Sequence, residues 1–394
     1  MLDKNSRVNR GLVDEIMNKS MERGIYIDLG EASKLYNEIK QEQDEIYNNL
    51  IKEIPVEWQG INLNSVKQLH DLFTNYFHLD RYAKTKQNKT GYSYNAETLQ
   101  QIYEKTGNMF SKYLINYREL GALLKKLEEI TSFTDKDSRI HPQYTYGDTW
   151  RLTYKQPALS NVSDRIRGII KAEKGYKIIK ADYKAQEVYI MINYLGIDKL
   201  KRVFEEYNDF YTGMVRELLG VDLKPEYRNN IKTAWLAGVY GSKLDNLGSC
   251  DEEKKLIKNV KDKIENIKEI REFRESIKNE IDRGNRVITS YFNSSREIPS
   301  WETNVYRLYN IAFNNVFQIT GSDILYFALE NVYNLFKQMD LSFDDIHIYF
   351  TIHDEIVYYA KEDVIDTYLI DKIKNAMILD IKGWSRIQVK IDII

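Results

Sequence analysis

Two short acidic signatures lie far apart in this chain, each directly after an apolar run suited to a β-strand. The first is Ala181-Asp182-Tyr183 with Glu187 close behind, preceded by Tyr176-Lys177-Ile178-Ile179-Lys180. The second is His353-Asp354-Glu355, preceded by Ile346-His347-Ile348-Tyr349-Phe350-Thr351-Ile352. Two strands that each end in a carboxylate can set those carboxylates side by side in one sheet. Such a pair suits two Mg²⁺ ions shared with substrate phosphates, the arrangement used for in-line phosphoryl transfer. A lone Asp in this setting reads as the end of a strand at a surface turn, so the pair needs support from the sequence around it.

That sequence is mainly helical. Glu31 to Ile54 and Ala96 to Ile130 carry apolar residues at helical spacing, as does the region from 201 to about 285, in which Glu252 to Arg283 is charged enough to read as a solvent-exposed helical stretch. A helix is expected from about Ala185 to Leu195 and a long one from Trp301 to Met339, then a hairpin over Ile346 to Ala360 and a last strand over Arg386 to Ile394. Helices, sheet, helices and sheet in that order imply an α+β protein with a helical insertion inside the sheet domain. Arg81 to Gly91 is a polar, basic loop that either touches a phosphate backbone or is simply solvated.

Composition narrows the class. The 394 residues suffice for two or three subdomains, and 43% hydrophobic with 29% charged is ordinary for a globular chain. A net charge of −2 gives no global basic field, so any nucleic-acid contact depends on local clusters of Lys and Arg. The single cysteine, Cys250, excludes an internal disulfide and fits a reducing compartment. No apolar signal region opens the chain and no run nears the ~18 apolar residues of a membrane span, so a cytoplasmic location without membrane contact is expected.

After Pro225, Arg228, Lys232, Leu236 and Tyr240 recur at steps of four along one helical face. Two cations followed by an apolar residue and an aromatic suit a nucleotide's phosphates, sugar and base. An amphipathic surface helix with incidental basic residues would look the same.

Together these stretches resemble the family A DNA polymerases, of the bacterial polymerase I type. That family's motifs read Asp-Tyr-Ser-Gln-x-Glu, then Arg-x3-Lys-x3-Phe/Tyr-x3-Tyr-Gly, then His-Asp-Glu. Here they stand as Asp182-Tyr183-Lys184-Ala185-Gln186-Glu187, then Arg228, Lys232, Leu236 and Tyr240-Gly241, then His353-Asp354-Glu355. Arg151-Leu152-Thr153 with Pro157 to Val162 is similar to the family's Gly-Arg-Leu-Ser-Ser…Pro-Asn-Leu-Gln-Asn-Ile. Asn314, Gln318, Thr320 and Asp323 resemble its Asn-x3-Gln-Gly-Thr-Ala-Ala-Asp helix, and Met21 to Asp28 with Asn62 to Leu69 look like the start of its thumb.

The resemblance implies a right-hand polymerase fold: an antiparallel-sheet palm with helical fingers and a helical thumb. It would place an N-terminal segment and thumb in 1–138, palm in 139–200 and 310–394, and fingers in 201–309. The implied activity is template-directed addition of dNTPs to a primer 3′-hydroxyl on primer–template DNA, with release of pyrophosphate. Asp182 and Asp354, with the Tyr183 carbonyl, would hold two Mg²⁺ ions, Mn²⁺ being able to substitute. Glu355 either assists a metal or tunes the site. His353 either positions the primer terminus or is a turn histidine. Arg228 and Lys232 would hold the triphosphate, Lys232 also protonating the leaving pyrophosphate. Tyr240 would sit near the templating position, and Glu187 would block a ribose 2′-hydroxyl. Arg151, Asn161, Asn314 and Gln318 would meet minor-groove acceptors shared by every base pair.

The chain departs from the family pattern in several places. Leu236 replaces an aromatic, Tyr211 stands where many members have His, Ala158 replaces Asn, Ser160 replaces Gln and Asn310 replaces Arg. Weaker nucleotide discrimination or a weaker grip on DNA is the expected consequence. The thumb-like sequence begins so near Met1 that no exonuclease domain is expected in this chain; proofreading would be absent or reside in a separate polypeptide. So compact a polymerase suits a phage or other mobile element, acting in a bacterial or host cytoplasm. No insertion for a processivity factor is evident. Two rival readings are a single-subunit RNA polymerase, which Glu187 opposes, and a catalytically weakened DNA-binding relative, which the intact Asp182, Asp354, Arg228 and Lys232 oppose.

Overall fold

The computed structural model of the chain describes every residue except 86–90, 160–161 and 241–246. It divides into two compact units. One comprises Ile25–His141 with Gln156–Lys171; the other comprises Met1–Gly24, Pro142–Lys155 and Ala172–Ile394.

The first unit is helical. Its long helices Leu29–Lys52 and Met109–Ser132 lie against each other, and shorter ones close a core that includes Leu50, Leu72, Phe73, Leu99, Phe110 and Leu114. The stretch with helical spacing over Ala96 to Ile130 forms two helices, Ala96–Thr106 and Met109–Ser132. Gly107 ends the first in the left-handed region at φ 71°, and the Asn108 side chain caps the second by accepting the Ser111 N–H at 2.9 Å.

The second unit is organised by a four-stranded antiparallel sheet of β1 (Tyr176–Tyr183), β2 (Ile346–Ile352), β3 (Glu355–Lys361) and β4 (Val389–Ile393), in the order β4-β1-β3-β2. Each strand is rich in Ile, Val, Tyr or Phe, which fit a pleated, packed surface. Five consecutive residues of β3, Ile356–Ala360, are fully buried, so this strand is covered on both faces. The longer helices of the unit are α1 (Arg10–Arg23), α2 (Gln186–Leu195), α3 (Phe210–Leu219), α4 (Arg228–Tyr240), α5 (Asp251–Glu265), α6 (Lys268–Asp282), α7 (Val305–Gln338) and α8 (Thr367–Met377). The 34-residue α7 is buried around its whole circumference from Ile319 to Leu329, as befits a helix packed from every side.

Two expectations change. The charged region after Glu252 is not simply solvated: α5 buries Ile257, Val260 and Ile264 and packs on α4 at Gly238, where a Cβ would come within 3.0 Å of Ile264. The boundary expected at 138/139 also moves. Met1–Gly24 belong to the sheet unit because α1 buries Val13, Ile16, Met17 and Met21 within it, and the Ser20 hydroxyl donates to the Ile348 carbonyl of β2. Gln156–Lys171 belong instead to the helical unit.

Candidate active site

β1 presents Asp182 on the face opposite its buried neighbours Ala181 and Tyr183, as strand alternation requires. The Tyr183 hydroxyl donates to the Met377 carbonyl at 2.7 Å and fixes the strand end. Register then does the rest. Asp182 is paired with Lys390 of β4 on one side and with Glu355 of β3 on the other. Asp354 immediately precedes Glu355, in the two-residue turn His353–Asp354 that joins β2 to β3. The strand leading up to Asp354 is therefore the sheet edge; the returning strand is the one that brings the second carboxylate to β1. His353 takes φ 55° in that turn and is exposed.

Burial raises the Asp182 carboxyl to about 7, helped by the like charges of Asp354 and Glu355 and opposed by Lys390. Burial also raises Asp354, against the pull of Arg151, His353 and Lys232. Glu187 is raised by burial and by Asp354, against Arg151 and Lys232. Four carboxylates, Asp182, Asp354, Glu355 and Glu187, thus share one field with Arg151, Lys232 and Lys390. Ala185, in the left-handed region at φ 50°, turns the chain from β1 into α2 and sets Glu187 in the first helical turn. There the Tyr240 hydroxyl donates to the Glu187 carboxylate.

The helix expected after Pro225 is α4, entered through the tight turn Pro225–Tyr227. Arg228 directs Nε and Nη2 at the same Asp209 oxygen, at 2.8 and 2.6 Å, with its guanidinium 5.3 Å from the buried Tyr211 ring. Asp209 also caps α3, accepting the Thr212 N–H at 2.9 Å. A cavity of about 210 Å³ is lined by Asp182, Tyr183, Asp209, Tyr211, Arg228 and Lys232, among others. It joins the end of β1 to the cationic face of α4. Leu236 does not line it.

Arg151 follows the loop of a small hairpin, Gln143–Tyr146 with Leu152–Lys155, and acts on both Asp354 and Glu187. Asn314 and Gln318 lie one turn apart on α7, and the buried Asn314 Oδ1 makes no hydrogen bond among the described residues. Neither lines the cavity. Asn161, with Ser160 and Gly241, falls outside the described residues, as does part of the basic loop, 86–90. Three features were not read from the sequence: Asp209 as the partner of Arg228, Lys390 beside Asp182, and the bond from Tyr240 to Glu187. Only Asp209 had a local signal, since Asp-Phe-Tyr-Thr has the form of a helix cap.

The donor set fits a hard divalent cation. Asp182 and Asp354 offer carboxylate oxygens and Tyr183 a main-chain carbonyl, and the strained ionisation of Asp182 is what a nearby dication would relieve. Among the described residues no group of three or more His, Cys, Asp or Glu side chains could hold a metal alone. Mg²⁺ commonly completes its shell with water and substrate phosphate.

The sequence model of DNA polymerase family A matches residues 30–393. DNA polymerase I of Caldicellulosiruptor bescii is 25% identical over 375 residues, covering 89% of this chain and 42% of that protein. DNA polymerase I of Bacillus subtilis is 23% identical, covering 93% and 43%. The curated relatives are longer: matches span from 26% to 43% of their length. The polymerase domain of Pol1 from M. smegmatis, solved in complex with DNA primer-template and dNTP, superposes with a TM-score of 0.82 at 23% identity, covering 98% of this chain and 70% of that one. The fold is shared with that domain.

Proposed function

This chain belongs to DNA polymerase family A, and on that premise we propose that it is a template-directed DNA polymerase, adding dNTPs to a primer 3′-hydroxyl and releasing pyrophosphate. The observation that carries the reading is the meeting of Asp182 and Asp354 through strand register, beside a cavity that also receives Arg228 and Lys232. The sheet is then the palm, the helices of 201–309 the fingers and the helical unit the thumb.

Bound Mg²⁺ or Mn²⁺, held by Asp182, Asp354 and the Tyr183 carbonyl together with substrate phosphates, would lower the barrier to attack by the primer hydroxyl and neutralise the leaving pyrophosphate. Lys232 lines the same cavity as Asp182 and would bind the triphosphate and give a proton to the leaving group. Arg228 can hold the same phosphates once it exchanges the Asp209 carboxylate for them, with Tyr211 beneath it as a fixed support. Glu187, held by Tyr240, is a rigid stop where a ribose 2′-hydroxyl would project. Arg151, whose positive charge acts on both Asp354 and Glu187, would face the new duplex. Asn314 carries an unused buried acceptor and an amide donor suited to a base edge, with Gln318 one turn on.

Primer extension with dNTPs and with NTPs tests the reading. Wild type should extend with dNTPs in Mg²⁺. Asp182→Ala and Asp354→Ala should each lose about 10³-fold or more in kcat with primer–template binding largely kept. Glu187→Ala should raise ribonucleotide use by about tenfold or more. Extension surviving either Asp change would remove the basis for the assigned site.

A further inference from the structure

We propose that Trp150 is a positioning residue for Arg151 and that α1 takes part in the site through it; the proposal rests on the role given to Arg151 above. Arg151 is the last residue of the hairpin loop, directly before the strand that starts at Leu152, so its placement follows from the residue before it. Trp150 has φ 60°, a region open to glycine and rarely entered by large side chains. The family stretch Gly-Arg-Leu-Ser-Ser has glycine at this position. A tryptophan keeps such a backbone only where its surroundings over-determine it.

Here they do. The Arg10 guanidinium lies 4.0 Å from the centre of the Trp150 ring and that of Arg296 lies 5.3 Å away. The indole N–H donates to the Ser295 carbonyl at 3.0 Å. The main chain is tied to α7 on both sides of the Trp150 peptide: the Ser322 hydroxyl donates to the Thr149 carbonyl at 2.8 Å, and the Tyr326 hydroxyl donates to the Trp150 carbonyl. Three separate pieces of chain thus converge on one ring and its peptide: α1, the hairpin Val287–Thr289 with Ser295–Glu297, and α7.

Arg10 is itself held. It donates to the Ser294 hydroxyl at 2.7 Å and lies 3.7 Å from Asp323. Asp323 is wholly buried and accepts from the Ser290 and Ser294 hydroxyls at 2.5 and 2.6 Å. A carboxylate so deep, with no place in the reaction proposed above, orients Arg10 over the indole. Glycine would accept the same φ but offer no ring to grip. Tryptophan instead exchanges local backbone ease for a loop pinned from three sides, and the residue next to it in that loop is the cation whose charge acts on Asp354 and Glu187.

A double-mutant cycle tests this. Wild type, Trp150→Gly, Arg151→Ala and the double variant are compared for primer–template Kd and for kcat/KM of extension, with melting temperature recorded for each. Glycine suits the existing backbone, so Trp150→Gly removes the ring without adding strain. It should lower kcat/KM by about tenfold, the scale of a misplaced active-site group, and the double variant should be no worse than Arg151→Ala. Trp150→Phe, which keeps a ring for both arginines, should recover most of the loss. Losses that multiply in the double variant, or Trp150→Gly with wild-type activity, overturn the positioning role. Should Trp150→Gly fail to fold, Arg10→Gln takes its place under the same criterion. Wild-type activity of Arg151→Ala would instead overturn the reading of Arg151, an outcome distinct from an impaired Arg151→Ala beside an unimpaired Trp150→Gly. Should wild type bind primer–template but not extend it, the polymerase reading falls and the Kd cycle decides the positioning role; with neither extension nor binding, both fall.

Discussion

Asp182 and Asp354 are held by a sheet, whereas Arg228 and Lys232 project from the exposed face of a helix, and the two supports leave different things free. Asp182 has a strand neighbour on each side, and Asp354 is fixed by a two-residue turn whose return strand must pair with β1. The carboxylates therefore stand ready before any substrate arrives, at the expense of a raised Asp182 carboxyl. The cations are not committed in the same way. Lys232 is exposed, and Arg228 is occupied by Asp209. On the proposed reading the sheet preorganises one sign of charge, and the helix would deliver the other when a triphosphate competes for it, as a fingers helix closing over a correct nucleotide would.

The largest effect expected from the helix side belongs to Lys232. If Lys232 contacts the triphosphate and protonates the leaving group as proposed, Lys232→Ala should lower kcat by about 10²-fold or more. Primer–template affinity should change by no more than about threefold, because the proposed reading assigns the duplex to other residues. Single-turnover extension and a binding titration read the two quantities separately. An equal loss in both would mean that Lys232 grips DNA, and the contrast between prepared acids and recruited cations would fail.

The legibility of the sequence follows the same divide. Asp182, Glu187, Arg228, Lys232 and Asp354 could be picked out because each lies in a local pattern whose residue types match one chemistry. What joins them is not local. Which strand of the hairpin pairs with β1 is fixed by tertiary packing, so Glu355 and Lys390 as the neighbours of Asp182 could not be read in advance. The bond from Tyr240 to Glu187 depends likewise on how α4 meets α2. The break at Gly107-Asn108 was a local signal, a glycine stop followed by an Asn cap, hidden by apolar spacing that continues across it. The assignment of α1 to the sheet unit had no such signal, since its apolar face shows only that it packs, not on what.

A smaller effect separates a clamp held in reserve from a clamp already set. If Asp209 only occupies Arg228 until a triphosphate arrives, Asp209→Asn should lower the dNTP KM by about two- to fivefold, since exposed ion pairs are worth about 1 kcal/mol or less. The same change in an Arg228→Ala background should give no gain. A KM that rises in Asp209→Asn would show that Asp209 holds Arg228 in its working pose, and the cation side would then be as preorganised as the sheet.

The smallest effect is thermal and concerns the sheet alone. Without divalent cations, the folded chain holds the Asp182 proton up to about pH 7, whereas an unfolded Asp releases it near 3.9. Between those values the native state binds more protons than the unfolded one, so unfolding free energy falls as pH rises through the window, and the full penalty is present above it. Asp182→Asn removes the charge. It should melt above wild type at pH 8 in chelator and converge with it as pH falls toward 4. A pKa difference of this size would be worth about 4 kcal/mol in a dry site, but Asp182 is partly open to solvent, and screening reduces the gain to about 1 kcal/mol, a rise of about 2 °C in a chain this long. Mg²⁺ should narrow the difference by stabilising only the carboxylate form. A variant that melts below wild type at pH 8 would mean that the carboxylate is more comfortable in the sheet than its surroundings allow. The acids would then be free of the strain that distinguishes them from Arg228 and Lys232.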